Sequence, residues 1–431
     1  MIYVVKKGEA MHLNKKICLL NDSFPPIIDG VSNTVLNYAT NIERSGSHAT
    51  VVTPSHPKAC DSQYPFPVIR YSSVNFSRMN DYMAGVPFSP KVAGMLSEQK
   101  VDILHSHCPV MSTIMARELR SIVNAPIVFT YHTKFDVDIA NLFKNKHLQE
   151  ACKKALVSNI NSCDEVWTVS RGAGENLRSL GYTGDYIIMP NGVDLPRERV
   201  GDDLVESVTS RYDLPANVPI YLFVGRMMWY KGIKIICNAL TRLKAEGQDF
   251  RMVFIGEGDD RHDIMDYTVK LGINHKCVFT GAIRDREKLR AWYSKADLFL
   301  FPSSYDTNGL VVREAASCEL GSVLIKDSGA SEGVSDGVNG LLIKESAQSL
   351  ADCLLTLANN KAKMREIGAN AARDLYISWE DSVKAAMERY DVVIDRYRKG
   401  EYPRSHHPTD GLTKINGQLM RALAQLSQNK K

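Results

Sequence analysis

Two doubly wound α/β domains in succession, each a parallel sheet wrapped by helices, are the architecture this sequence predicts. Three observations lead there. Short, continuous apolar runs recur along the chain, the pattern of parallel strands buried on both faces. Longer segments of helical spacing separate them, as crossover helices do. The alternation then restarts halfway, after a charged stretch that ends in the turn-rich Leu214-Pro-Ala-Asn-Val-Pro219. The 431 residues are 44% hydrophobic and 24% charged. That is apolar material for two sizeable cores at about 150 residues per domain.

The first strand is read at Ile17–Leu20, and the others of that domain at Ala49–Thr53, Ile103–His105, Ile127–Tyr131 and Glu165–Val169. Helical spacing runs through Val31–Glu43 and Thr113–Val123 between them. The second set of strands is Ile220–Val224, Arg251–Ile255, Cys277–Thr280, Leu298–Phe301 and Ser322–Ile325. Its helices are Ile233–Glu246, Arg261–Leu271 and Asp285–Ala296, and Asn339-Gly340 signals a tight turn. The boundaries predicted are 11–196 for the N-terminal domain, rejoined by a helix over 378–399, and 197–377 for the C-terminal domain. A basic amphipathic tail fills 400–431, with Leu412, Ile415, Leu419, Leu423 and Leu426 on one face and Lys430-Lys431 after it. Such a helix packs on the body or lies on a membrane surface or partner.

Composition excludes several classes. A net charge of +4 is too mild for nucleic-acid binding, which wants a clustered basic face, but suits an anionic ligand or an anionic membrane surface. Nine cysteines with no Cys-x-x-Cys pair read as reduced, mostly buried thiols. The opening Met1–Lys16 lacks the apolar core of a signal peptide, and no run approaches the ~18 apolar residues of a membrane span. A cytoplasmic protein is expected, with peripheral contact to the inner face of the membrane open to it.

Four motifs carry chemistry. Pro25-Pro-Ile-Ile-Asp-Gly-Val-Ser32 follows the first strand and precedes a helix; Gly30 lets backbone N–H groups approach a phosphate or sugar, although a plain turn looks the same. Val224-Gly-Arg-Met-Met-Trp-Tyr-Lys-Gly232 puts Arg226 and Lys231 at one strand end, the cations a diphosphate leaving group needs; surface charges are the plain reading. Pro302-Ser-Ser-Tyr-Asp-Thr-Asn-Gly-Leu-Val-Val-Arg-Glu314 sets Asp306 on a loop and Glu314, eight residues on, in a helix opened by Asn308-Gly309. Carboxylates accept hydrogen bonds from vicinal hydroxyls, so one suits a sugar and the other a ribose; a solvated acidic loop is the bland alternative. Histidines end two strands, in His105-Ser-His107-Cys108 and Tyr131-His132-Thr133. His105 reads as a core residue and His132 as functional. A metal site from His105, His107, Cys108 and His132, or a Cys108 nucleophile, stays open at this point. Asp136-Val-Asp138 is read as a solvated or acceptor-facing loop, and Gly256-Glu-Gly258 lacks the third glycine of a dinucleotide fingerprint.

Taken in order and spacing, these motifs resemble glycosyltransferase family 4, of GT-B fold, over residues 15–395. The matching pieces also include Ser170 and Pro190-Asn-Gly-Val-Asp194. The resemblance implies retaining transfer from a nucleotide sugar in the cleft between the domains, with no cofactor and no essential metal. It implies that Gly30 approaches donor phosphate and sugar, that His132 sits near the sugar 6-hydroxyl, and that Arg226 and Lys231 bind the diphosphate. Ile283 and Arg284 would flank the base. Asp306 would bind the 3- and 4-hydroxyls, with backbone groups of Asn308, Gly309 and Leu310 on sugar and phosphate, and Glu314 would hold the ribose. The family's first acid is usually Glu; Asp306 is shorter by one bond, about 1.5 Å. A narrower resemblance, carried by Asn21-Asp-Ser-Phe-Pro-Pro and Tyr131-His-Thr-Lys-Phe-Asp, is to the branch that glycosylates diacylglycerol; the basic Phe143-Lys-Asn-Lys-His147 and Lys153-Lys154 suit an anionic bilayer. The donor implied is a UDP-hexose, the commonest case. A nucleotide-sugar epimerase or hydrolase, a non-catalytic nucleotide-sugar-binding subunit and a Rossmann oxidoreductase are the rivals.

Overall fold

The computed structural model describes residues 14–75, 83–306, 309–403 and 410–428. Its contacts divide the chain into two compact units, Met1–Asn191 with Trp379–Lys431, and Gly192–Ser378. The changeover falls at 191/192 rather than the expected 196/197, because Val193 and Ser378 form a bridge and Val193 N–H donates to Ile377 O, tying both crossing segments into the second unit.

In the first unit the chain lays down β1 (Lys16–Leu20), β2 (His48–Pro54) and β3 (Val68–Tyr71), then the antiparallel hairpin β4 (Ser73–Asn75) and β5 (Met83–Gly85). It continues with β6 (Ile103–Ser106), β7 (Ile127–Tyr131), β8 (Glu165–Thr168) and β9 (Ile187–Ile188). The main sheet has the order β3-β2-β1-β6-β7-β8-β9, all parallel. Its central strands are buried along their whole length, which is why they read as unbroken apolar runs.

One face of this sheet is covered by a cluster including Met115, Leu119, Phe129 and Ile160. The other face packs Val35, Tyr38 and Ile42 of the helix Gly30–Arg44 together with Val383, Met387 and Tyr390 of the helix Trp379–Arg398. That returning helix is anchored by polar contacts as well. Arg389 Nε donates to Glu165 Oε1 at 2.8 Å, and Lys15 pairs with Asp391 at 2.9 Å. The tail helix Asp410–Gln428 packs on the helices Pro90–Ser97 and Met111–Val123 of the same unit. Among the described residues no helix is long and apolar enough to cross a membrane.

The second unit holds β10 (Ile220–Val224), β11 (Arg251–Ile255), β12 (Cys277–Gly281), β13 (Leu298–Phe301), β14 (Ser322–Ile325) and β15 (Leu341–Ile343). Their order is β12-β11-β10-β13-β14-β15, again all parallel. Each sheet reverses its winding once, between β1 and β6 and between β10 and β13. Loops at the carboxyl ends of the strands flanking such a reversal form the ligand crevice of doubly wound sheets.

Candidate active site

In the second unit the switch-point loops carry the predicted cations and carboxylates. β10 ends at Val224, and Gly225 and an exposed Arg226 follow. A single 3-10 turn, Trp229–Lys231, leads into the helix Ile233–Ala245 through Gly232. Gly232 has φ +79, and a Cβ there would stand 1.8 Å from Pro302 O, so only glycine lets this loop close on the one after β13. The Gly256-Glu-Gly258 turn supports it from the other side. A Cβ at Gly256 would lie 1.9 Å from Gly225 O, and Met227 N–H donates to Glu257 O at 3.0 Å. Those glycines are therefore packing residues beneath the Arg226 loop.

The approach of the two loops brings Lys231 onto Asp306. Its Nζ lies 2.9 Å from Oδ1 and 2.7 Å from Oδ2, and Ser303 Oγ donates to Oδ2 at 3.0 Å. Sequence reasoning gave these two residues separate partners, diphosphate and sugar. In the structure each is also the other's counter-ion, because loops that close on one another place opposite charges in contact. Lys231 keeps a third N–H and the carboxylate keeps unused lone pairs, so both can still serve a ligand.

Glu314 lies on the helix Leu310–Ser317, which starts from Gly309 in the left-handed region at φ +55. Tyr293 Oη donates to its Oε2 at 3.0 Å and Arg286 Nη2 to its Oε1 at 3.1 Å. Burial pushes the Glu314 carboxyl above its ordinary range, while Arg286 and Tyr293 pull it back down. Arg286 also faces Asp194 at 3.6 Å. Ile283 is half-buried against the second core, and Arg284 is exposed beside it on the loop between β12 and the helix Arg286–Lys295. Leu310 is half-buried at the helix start, and Asn308 lies outside the described residues. Sequence reasoning assigned no role to Tyr293 or Arg286. Their spacing of seven on one helix, two turns apart on a single face, is the signal that would have found them.

In the first unit, Gly30 is exposed and a Cβ on it would meet nothing within 4 Å, which leaves its backbone open to approach. The helix it opens is not a free anion site. Asp29 caps it, its Oδ1 accepting from Val31 N–H at 2.8 Å and Ser32 N–H at 2.7 Å. His105 is fully buried with both ring nitrogens engaged, Nδ1 to Tyr390 Oη at 2.5 Å and Nε2 to Thr130 Oγ1 at 2.7 Å. It is a core residue with nothing left for a metal.

His107 Nδ1 and His132 Nε2 are 3.0 Å apart, and His107 Nε2 is buried without a hydrogen-bond partner. Burial lowers His132 to a pKa of about 3 and holds His107 and His105 well below the ordinary value, so all three rings are neutral. Burial raises the Cys108 thiol well above its usual value, which removes it as a thiolate nucleophile. Among the described residues no group of three or more His, Cys, Asp or Glu side chains is placed to hold a metal ion. Asp136 is not in a loop but in the first turn of the helix Phe135–Leu142, where Asn176 Nδ2 donates to it at 3.2 Å. The spacing of Phe135 and Ile139, which buries Ile139, makes that segment helical.

Comparison with known proteins follows the two units. Residues 28–197 match the family Glycosyltransferase Family 4, and residues 208–374 match Glycosyl transferases group 1. A GDP-mannose-dependent alpha-mannosyltransferase of Corynebacterium glutamicum is 25% identical over 88% of this chain and 89% of its own length. An alpha-monoglucosyldiacylglycerol synthase of Streptococcus pneumoniae is 23% identical over 70% of this chain and 68% of its own. Among solved structures, sucrose-phosphate synthase of Thermosynechococcus elongatus superposes with a TM-score of 0.71 at 21% identity, over 89% of this chain and all (100%) of that one. Anabaena HepE in complex with UDP and glucose gives a TM-score of 0.69 at 18% identity, over 88% and 100%. With a Glycosyltransferase Family 4 domain in the first unit and a Glycosyl transferases group 1 domain in the second, this chain is a glycosyltransferase built on two Rossmann-like domains of GT-B type.

Proposed function

We propose that this glycosyltransferase is retaining and metal-independent, and that it moves a hexose from a UDP-sugar to a hydroxyl of a membrane lipid such as diacylglycerol, at the inner face of the membrane. The observation that carries the reading is the set at the β10/β13 switch point. Arg226 and Lys231 stand at loop ends suited to a diphosphate, and Glu314 is fixed by two donors so that its remaining lone pairs can accept ribose hydroxyls. The lipid acceptor is supported by the names of relatives in Streptococcus pneumoniae and Acholeplasma laidlawii, both alpha-monoglucosyldiacylglycerol synthases. UDP is supported by the ligand of the Anabaena structures.

In this mechanism Arg226 and Lys231 neutralise charge developing on the leaving phosphate oxygen, the role a metal plays elsewhere. Asp306 accepts from the sugar's 3- and 4-hydroxyls while keeping Lys231 in place. His132, neutral, serves as a hydrogen-bond partner near the 6-hydroxyl and not as an acid. Gly30 admits the donor along the backbone, with Ile283 and Arg284 beside the base and Asn308, Gly309 and Leu310 offering main-chain groups. The acceptor hydroxyl enters on the face the phosphate leaves, and its proton passes to that phosphate oxygen. The test is a donor panel of UDP-glucose, UDP-galactose and GDP-mannose with mixed membrane lipids, read by mass spectrometry. A hexosyl-lipid from a UDP donor is expected. Donor hydrolysis without a glycosylated product, or turnover with GDP-mannose alone, would overturn the reading.

A further inference from the structure

The helix Asp410–Gln428 lies beyond both segments matched to known families and outside the donor site. It is held on the first unit by one narrow stripe. Asp410 pairs with Arg117 at 2.9 Å, and Asn416 Nδ2 donates to Glu118 Oε1 at 2.6 Å. Small residues set the closeness of the contact: a Cβ at Gly417 would lie 2.5 Å from Glu118 O, and one at Gly94 would lie 2.9 Å from the Cβ of Ala424. Gly417 and Ala424 are the helix's buried positions among the described residues.

The leucine-rich face points elsewhere. Leu412, Ile415, Leu419 and Leu423 are 69%, 65%, 53% and 42% exposed. Spacings of three, four and four residues make them one continuous stripe. An amphipathic helix normally buries its apolar face on the protein body; here the body takes the small-residue stripe and leaves the aliphatic one in water. A contiguous apolar stripe of this kind marks an interaction surface.

Charge decides what covers it. Residues 411–431 contain four cationic side chains, Lys414, Arg421, Lys430 and Lys431, and no Asp or Glu. Lys414 and Arg421 are exposed. The one acid of the helix, Asp410, is taken by Arg117. A second copy docking stripe to stripe would gather like charges with no acid to offset them. An anionic bilayer offers both an apolar boundary for the stripe and phosphate charge for the cations.

We propose that this helix docks the protein on an anionic lipid surface, with Leu412, Ile415, Leu419 and Leu423 entering the boundary between headgroups and acyl chains. The inference deepens the lipid-acceptor reading and rests on it for its purpose, but its test reads binding alone.

The full chain is sedimented with vesicles of phosphatidylcholine, with or without an equal part of phosphatidylglycerol and containing no diacylglycerol and no nucleotide sugar. Binding to the anionic vesicles is expected, with little to phosphatidylcholine alone. Leu412→Ser/Ile415→Ser/Leu419→Ser/Leu423→Ser should weaken it about tenfold or more with a melting temperature shifted by no more than a few degrees, since these side chains are exposed and lie outside the cores. Lys414→Glu/Arg421→Glu should weaken it about tenfold and remove most of its salt dependence. Three results would each overturn the proposal: no binding by the unaltered chain, undiminished binding by the serine variant, or a dimer in sedimentation velocity that the serine variant dissolves. A missing glycolipid product alongside normal vesicle binding would count against the acceptor assignment only.

Discussion

Replacing Tyr293 by Phe removes the hydroxyl that is one of the two donors holding the Glu314 carboxylate. Tyr293 is fully buried, and its ring meets Phe299 edge-on with centroids 5.9 Å apart, a contact that phenylalanine keeps. What goes is the 3.0 Å hydrogen bond to Glu314 Oε2. A hydrogen bond to a charged group contributes about 1.5–3 kcal/mol. At about 1.4 kcal/mol per tenfold, that spans roughly ten- to a hundredfold in donor affinity. The lower end is expected, because Arg286 still holds Oε1 at 3.1 Å.

There is a second consequence in pH. Burial already raises the Glu314 carboxyl, and the Tyr293 bond is one of the contacts that lower it. Losing the bond raises it further, so the carboxylate forms only at higher pH and the acid limb of kcat/KM moves upward. In initial-rate assays with a UDP-hexose, KM for the donor should rise about tenfold while kcat stays within about threefold. A KM within about twofold of the unaltered enzyme, with the acid limb in place, would refute the argument that Glu314 grips the donor.

Lys231→Ala should lower kcat/KM at least about a hundredfold; near-normal turnover would remove Lys231 from the diphosphate site. Gly232→Ala meets Pro302 O at 1.8 Å with φ +79, so a loss of about 2–3 kcal/mol is expected in urea or thermal unfolding, and an unshifted midpoint would sink the claim that this glycine joins the two loops. His132, lowered by burial to about 3 from an ordinary 6.5, binds fewer protons folded than unfolded. Its contribution is therefore complete above about pH 6.5 and declines as pH falls toward 3, reaching about 2 kcal/mol lost at pH 5. The fall in melting temperature between pH 7.5 and pH 5 should shrink in His132→Gln, and an unaltered fall would mean the ring is solvated.

Central elements of the fold were legible because their burial is complete. The runs at Ile220–Val224 and Leu298–Phe301 have no solvent face to interrupt them, and the structure makes strands of both. The peripheral strands were not read. β3 alternates half-buried and buried positions across Val-Ile-Arg-Tyr, and its Arg70 is a loop anchor that donates to Asp61 and to Pro25 O. β9 is two residues long and half-buried. Neither gives a periodic signal over a useful length.

At the site, the motif residues were visible as charges beside glycines, but their mutual contacts were not. The Lys231–Asp306 pair joins positions seventy-five apart, and it forms only because Gly232 lets backbone touch backbone. The outward turn of the tail's leucines was equally hidden. Amphipathic spacing says that a face is apolar; it does not say which stripe the body will take.

The return of the helix Trp379–Arg398 to the first sheet has a consequence for how the protein is made. Tyr390 closes over His105 and stacks on Trp167 at 5.3 Å, so the first unit's sheet is covered only by residues made after the whole of the second unit. Until then a nascent chain ending before Trp379 leaves Tyr38, Trp167 and their neighbours without their cover. Gly192–Ser378 is continuous in sequence and owns its core, so it can mature during that wait. Ribosome-bound chains in that interval are where a chaperone would find an unroofed sheet.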